Sequence, residues 1–188
     1  MRIDQKVLLI MNYLKNEKNE IEGKTLLQKC IYFVNEILEN DIKFEPYYYG
    51  PYSSEVTFAI EEMKNVGIIN EEVEKYPFDH WLNQFEPKLF KYKLTDFGVN
   101  FVNFLEKNYK DETEKIKEEV NKIKNASQRS SKILSIAGKM YYILALKSKP
   151  TYLDSIKNEA KSLNWEIEDK DAENAVTFLK EIGLIKNE

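Results

Sequence analysis

Apolar residues in the first third of the chain recur at helical spacing. Val7, Ile10, Met11 and Leu14 form one stripe and predict a helix over residues 3–15, with Asp4 at its positive end. The polar stretch NEKNEIEG, residues 16–23, reads as a connection. Leu27, Ile31, Val34 and Leu38 then predict a second helix over residues 25–38, in which Thr25 is the N-cap and Gln28 completes a capping box. Residues 42–49 alternate apolar and aromatic positions, as a short extended segment does. Gly50-Pro51 breaks the chain direction, and Ser53 or Ser54 caps a third helix ending near Val66. Val56, Ala59, Ile60 and Met63 are its inward face, and Gly67 followed by Ile68 reads as a Schellman stop.

Beyond Gly67, residues 68–73 and 89–94 read as two strands, the second with a period of two at Lys91, Tyr92, Lys93 and Leu94. A long polar and aromatic loop joins them. Thr95 caps a fourth helix running to about Tyr109, with Phe97, Phe101, Phe104 and Leu105 as the expected apolar side. Three helices, a hairpin and a helix are the element order of a winged helix-turn-helix. Charge dominates residues 110–125, where Ile116, Val120 and Ile123 keep one narrow seam. That stretch is either an exposed linking helix or one packed on a single side. NASQRSS, residues 125–131, is the candidate hinge, and helices are expected over residues 133–146, 152–163 and 169–182, with Pro150 as punctuation. The segment around Gly183 echoes that around Gly67, and the plainer reading is one common helix stop used twice. The expected fold class is mainly α with a small β-hairpin: a winged-helix-like domain over residues 1–110 and a helical C-terminal domain over residues 111–188.

Composition changes this picture little. Of 188 residues, 43% are hydrophobic and 32% charged, enough for a sizeable core without staples. The net charge of −4 argues against non-specific coating of nucleic acid, which rests on neutralising phosphates. One cysteine, Cys30, excludes an intramolecular disulfide and suits a reducing cytoplasm. Cys30 falls among apolar helical residues, as a structural thiol would. No apolar run approaches a transmembrane span, and the chain opens directly into an amphipathic helix, so neither a membrane nor a secretory signal is expected.

Residues 23–33, GKTLLQKCIYF, followed by Phe44, Tyr49-Gly50-Pro51-Tyr52-Ser53 and Glu55-Val56, resemble the core of uncharacterised YwgA-like bacterial and archaeal proteins. More distantly, they are similar to the Panacea domain of antitoxins and proteolytic adaptors, where an L-Q-K-x-x-Y-F helix precedes a Y-G-P-Y-S turn. The resemblance spans about the first half of the chain. It implies a compact, helical, winged-helix-like domain that binds partner proteins, and no catalytic residues come with it.

The expected function is that of a DNA-binding transcriptional regulator, and the alternative is a protein-interaction module. As a DNA-binding transcriptional regulator, possibly dimeric, the chain would place its third helix in the major groove, where Ser53, Ser54 and Thr57 offer hydrogen bonds. Lys24 and Lys29 would then position the backbone, and Lys88, Lys91 and Lys93 would form a basic wing. Glu55, Glu61 and Glu62 against Lys64 give that helix the wrong sign for phosphate. As a protein-interaction module, the chain would bind a partner through the 47–52 turn, including Tyr48 and Tyr52, and through the 76–85 loop, including His80 and Trp81. Most of the turn tyrosines are expected to cover the core. The basic run Lys122, Lys124, Arg129, Lys132 and Lys139 reads as solvated surface. His80 is the only histidine, so no zinc site is expected. Gly23-Lys24-Thr25 lacks the earlier glycine and strand of a phosphate loop. No enzyme activity, metal or cofactor is expected.

Overall fold

The structure is a computed structural model and describes residues 1–75, 88–147 and 152–186. Among these residues the elements are α1 (Ile3–Leu14), β1 (Glu20–Glu22), α2 (Lys24–Ile37), β2 (Glu45–Tyr47), β3 (Gly50–Tyr52), α3 (Ser54–Asn65), β4 (Ile69–Lys75), β5 (Lys88–Leu94), α4 (Asp96–Asn108), α5 (Lys110–Ser127), α6 (Ser131–Lys147), α7 (Leu153–Ser162) and α8 (Asp169–Glu181). The protein is mainly α-helical with small antiparallel sheets. The 76–85 loop with His80 and Trp81, and Pro150, lie outside the described residues.

Strands β4 and β5 pair along their whole length, from Ile69 opposite Leu94 to Lys75 opposite Lys88, so the expected hairpin is present. A third strand was not expected: β1 pairs with the other edge of β5, Ile21 opposite Tyr92. Its three residues carry one apolar side chain, too little for a strand signal, and only the edge of β5 makes it one. This pairing also moves the start of α2. The Gly23 N–H donates to Phe90 O at 2.8 Å, and Gly23 turns at φ +99° straight into the helix. Thr25 therefore lies in the first turn and is not the N-cap; Gln28 is free of a capping box and bonds elsewhere.

The other helix boundaries follow their local chemistry. Ser53 Oγ accepts from Val56 N at the start of α3. Its end is a Schellman motif, Ile68 N to Met63 O and Gly67 N to Lys64 O. The same pair of bonds closes α8 at Gly183, from Leu184 N to Leu179 O and Gly183 N to Lys180 O. Thr95 Oγ1 accepts from Gly98 N and donates to Gly67 O at 2.7 Å, tying the start of α4 to the end of α3.

That anchor corrects the expected face of α4. Gly98, Val102 and Leu105 point inward, while Phe97 and Phe104 are exposed. The approach of Gly98 to the Ile68 carbonyl sets the rotation, since a Cβ there would lie 2.2 Å from Ile68 O. Helix α5 is packed on one side: Ile116, Val120 and Ile123 are buried against α1, α2 and α4. The α5–α6 break is fastened to α1. Arg129 donates to Leu14 O at 2.9 Å and Lys15 O at 2.8 Å, and Lys124 to Tyr13 O at 2.8 Å, satisfying carbonyls that the end of α1 leaves open.

One cluster of buried apolar side chains runs from Leu8 through Phe33 to Phe178 on α8. The Phe33 and Phe178 rings meet edge-on at 5.0 Å. Each such ring contributes about 3 kcal/mol by burial. The buried Asn35 holds the chain after α2 by bonding both Ile42 N and Ile42 O. No helix of the described residues is long and apolar enough to cross a membrane.

Candidate functional site

The Gly50–Ser53 corner is tied to both α2 and α6. Gly50 adopts φ +98°, and a Cβ there would lie 3.2 Å from Ser135 O and from Lys139 Cγ, so the backbone presses against α6. Two neighbours on α2 hold the corner from beneath. Lys29 Nζ donates to Pro51 O at 2.5 Å. Gln28 Nε2 donates to Ser53 O, and Ser53 N donates back to Gln28 Oε1. Gln28 also donates to Thr57 Oγ1, which lies 2.7 Å from Tyr52 Oη. Trp165 Nε1 reaches across from the C-terminal part of the chain to Tyr47 O at 2.7 Å.

These bonds settle the positions of several residues expected to contact a partner. Ser53 and Lys29 are buried, and Lys29 is only 2% exposed. Tyr52 and Thr57 bond one another, and Lys24 Nζ sits 3.8 Å over the Phe90 ring. Ser54, the first residue of α3, and Tyr48 are exposed. Burial and the nearby Lys139 ammonium lower Lys29 from the ordinary 10.5 to about 7.

The turn tyrosines do not cover the core as expected. Tyr47, Tyr48 and Tyr49 are 56%, 78% and 67% exposed. The two-stranded β2–β3 hairpin is too short to fold them inward, and α6 already covers its other face. Tyr47 makes an edge contact with Tyr48 at 5.3 Å and a tilted one with Tyr52 at 5.1 Å, giving a preformed aromatic cluster.

The third helix and the hairpin carry little unpaired positive charge. The outward side of α3 shows Ser54, Phe58, Glu62 and Asn65, with Phe58 68% exposed. Its single lysine, Lys64, bridges Glu61 at 2.9 Å and Glu71 at 2.7 Å. Lys91 pairs with Glu74 at 2.6 Å and Lys93 with Glu20 at 2.7 Å, and both are raised by those carboxylates. Beside α3 lies an open groove of about 690 Å³ between Phe58 and the start of α1, where Arg2 is held by Asp4 at 2.7 Å.

Among the described residues no group of three or more His, Cys, Asp or Glu side chains is placed to hold a metal ion. Cys30 is buried, and burial pushes its thiol up to about 12. Sequence reasoning missed Gln28 as a clamp, Lys139 as the neighbour of Lys29, and Trp165. None carries a local signal, because each finds its partner at long range.

No family model matches the chain. It is 27% identical over 173 residues to uncharacterized protein YwgA of Bacillus subtilis (strain 168), covering 90% of this chain and 92% of that protein. The likeness supports a YwgA-like uncharacterised family. It also extends the resemblance, expected only over the first half, into the C-terminal helices that supply Lys139 and Trp165.

Proposed function

We propose that the chain is a non-enzymatic winged-helix protein of the cytoplasm that acts as a protein-interaction module and presents Tyr47, Tyr48 and Tyr49 to a partner polypeptide. The observation that carries this reading is an exposed aromatic cluster on a hairpin fixed from both sides, by Lys29 at Pro51 and Trp165 at Tyr47. A fixed hairpin loses little conformational entropy on binding, and tyrosine offers a large apolar body with a polar tip. The Panacea-like turn fits the same reading, since partner binding is what that resemblance implies.

DNA binding has less in its favour. A reading helix needs cations toward phosphate, and α3 offers carboxylates around Phe58. The hairpin lysines Lys91 and Lys93 would have to leave Glu74 and Glu20 first.

The test compares immobilised wild-type protein with a Tyr47→Ser/Tyr48→Ser/Tyr49→Ser variant and a Phe58→Ser variant, using lysate of the native host. A specific polypeptide, or a second copy of this chain, should be retained by wild type and Phe58→Ser and lost by the triple variant. Retention of nucleic acid that weakens steeply with salt would support the regulator instead.

A further inference from the structure

A cavity of about 730 Å³ opens beside the Gly50–Ser53 corner, walled by the first turns of α2, the start of β5 and the N-terminal half of α6. Five lysines line it, Lys24, Lys29, Lys88, Lys132 and Lys139, against one carboxylate, Glu22. Such a concentration of positive charge stands out in a chain of net charge −4.

Lys29 and Lys139 are the informative pair. Lys29 is almost wholly buried, and its ammonium offers three donors to one acceptor, Pro51 O. Among the described residues no carboxylate forms an ion pair with Lys29 or Lys139. Burial and the nearby Lys139 lower Lys29; burial also lowers Lys139, with Glu166 opposing. Two partly desolvated ammonium groups facing one cavity, neither in an ion pair, are costly to keep charged. An anion between them would remove that cost.

The surrounding elements favour the same charge. Helix α2 starts at Gly23 without a side-chain cap, and neither α2 nor α6 has an acidic residue in its first turn. Their positive ends lie on the cavity wall at Gly23, Lys24 and Ser131. Lys132 pairs with Asp171 at 2.9 Å and Lys24 rests on Phe90 at 3.8 Å, whereas Lys139 lies farther, 6.0 Å, from the Trp165 ring, so Lys29, Lys88 and Lys139 remain for a ligand. The volume suits a small molecule, since ligand sites run from about 300 to about 1,000 Å³. Lysine binds phosphate as a point charge without a fixed fork.

We propose that this cavity is a binding site for a small phosphate-bearing ligand, held between Lys29 and Lys139. Tyr47 and Tyr49 of the partner surface proposed above also line this cavity, so the two sites adjoin.

Isothermal titration calorimetry of the full chain, with inorganic pyrophosphate and separately with adenosine diphosphate, tests it. Saturable binding at one site is expected, weakened about tenfold or more in Lys139→Gln. It should be unchanged in Lys122→Gln, which alters an α5 lysine outside the cavity. Lys88→Gln, at the rim, should weaken binding as well and guards against a folding defect in the first variant; circular dichroism confirms that each is folded. Tighter binding of the nucleotide assigns the ligand to a nucleoside phosphate, and tighter binding of pyrophosphate assigns it to a free phosphate. Absence of saturable binding, binding untouched by Lys139→Gln and Lys88→Gln, or binding of duplex DNA alone would overturn the proposal.

Discussion

Gln28 and Ser53 are joined in both directions. The Gln28 amide donates to the Ser53 carbonyl at 3.1 Å and accepts from the Ser53 N–H at 3.1 Å. Both residues are buried, so the side chain acts as one rung of sheet between a helix and a turn. With Lys29 holding Pro51 next to it, two consecutive residues of α2 fix the corner that launches α3. This gives a physical reason for finding Gln-Lys on one helix and Gly-Pro-Tyr-Ser on the following turn in the same pattern.

Replacing Gln28 by Leu keeps the volume and removes both bonds. The buried Ser53 N–H then lacks a partner, at a cost of about 1–3 kcal/mol, while Ser53 O still accepts from Thr57 N. Urea unfolding should show a loss of about 1–3 kcal/mol with little change in slope. A loss within the ordinary range of surface substitutions would mean that the corner is held by other contacts.

Lys29 makes stability depend on pH in a defined window. Its native value is about 7 and its unfolded value the ordinary 10.5. Between the two, the unfolded chain holds a proton that the native protein has released, so stability rises with pH. The penalty is full below the native value and is relieved as pH climbs toward the unfolded one. Lys139 titrates beside it, so the useful quantity is the difference between wild type and Lys29→Met. From about pH 7 to about pH 9, wild type should gain stability relative to the variant, by up to a few kcal/mol. Parallel curves would show that Lys29 keeps its proton throughout.

Two glycines should respond differently to alanine. At Gly98 the added Cβ meets the Ile68 carbonyl at 2.2 Å, and backbone must move. At Gly67 nothing lies within 4 Å, and only the positive φ of 72° opposes the change. Gly67→Ala should cost about 1 kcal/mol, and Gly98→Ala about 2 kcal/mol or more. Thermal unfolding of the two variants side by side checks the order, and the reverse order would place α4 farther from α3.

Cys30 is fully buried with its thiol raised, so a thiol reagent should leave the native protein unmodified and label it only at the rate of opening. Fast stoichiometric labelling without denaturant would contradict its place in the core.

Boundaries written in local chemistry were legible in the sequence. The Ser53 and Thr95 caps, the glycine stop at Gly67 and the period of two in β5 all concern neighbours along the chain. Features that depend on a distant partner were not. Ile21 lies in a strand only because β5 offers it an edge. Phe97 and Phe104 look as apolar as Val102, and only the docking of Gly98 on Ile68 decides which side faces inward. Lys29 is buried because α6, more than a hundred residues later, lies across it. The tyrosines were misread for a related reason: with α6 filling the far side of the hairpin, no room was left beneath them.

Photo-crosslinking from position 48 tests the partner surface most directly. With p-benzoylphenylalanine in place of Tyr48, irradiation of native-host cells should give a discrete adduct that protease removes and nuclease does not. The adduct should fade when Tyr47 and Tyr49 are changed to Ser. A nuclease-sensitive adduct, or none, would contradict a polypeptide-binding hairpin.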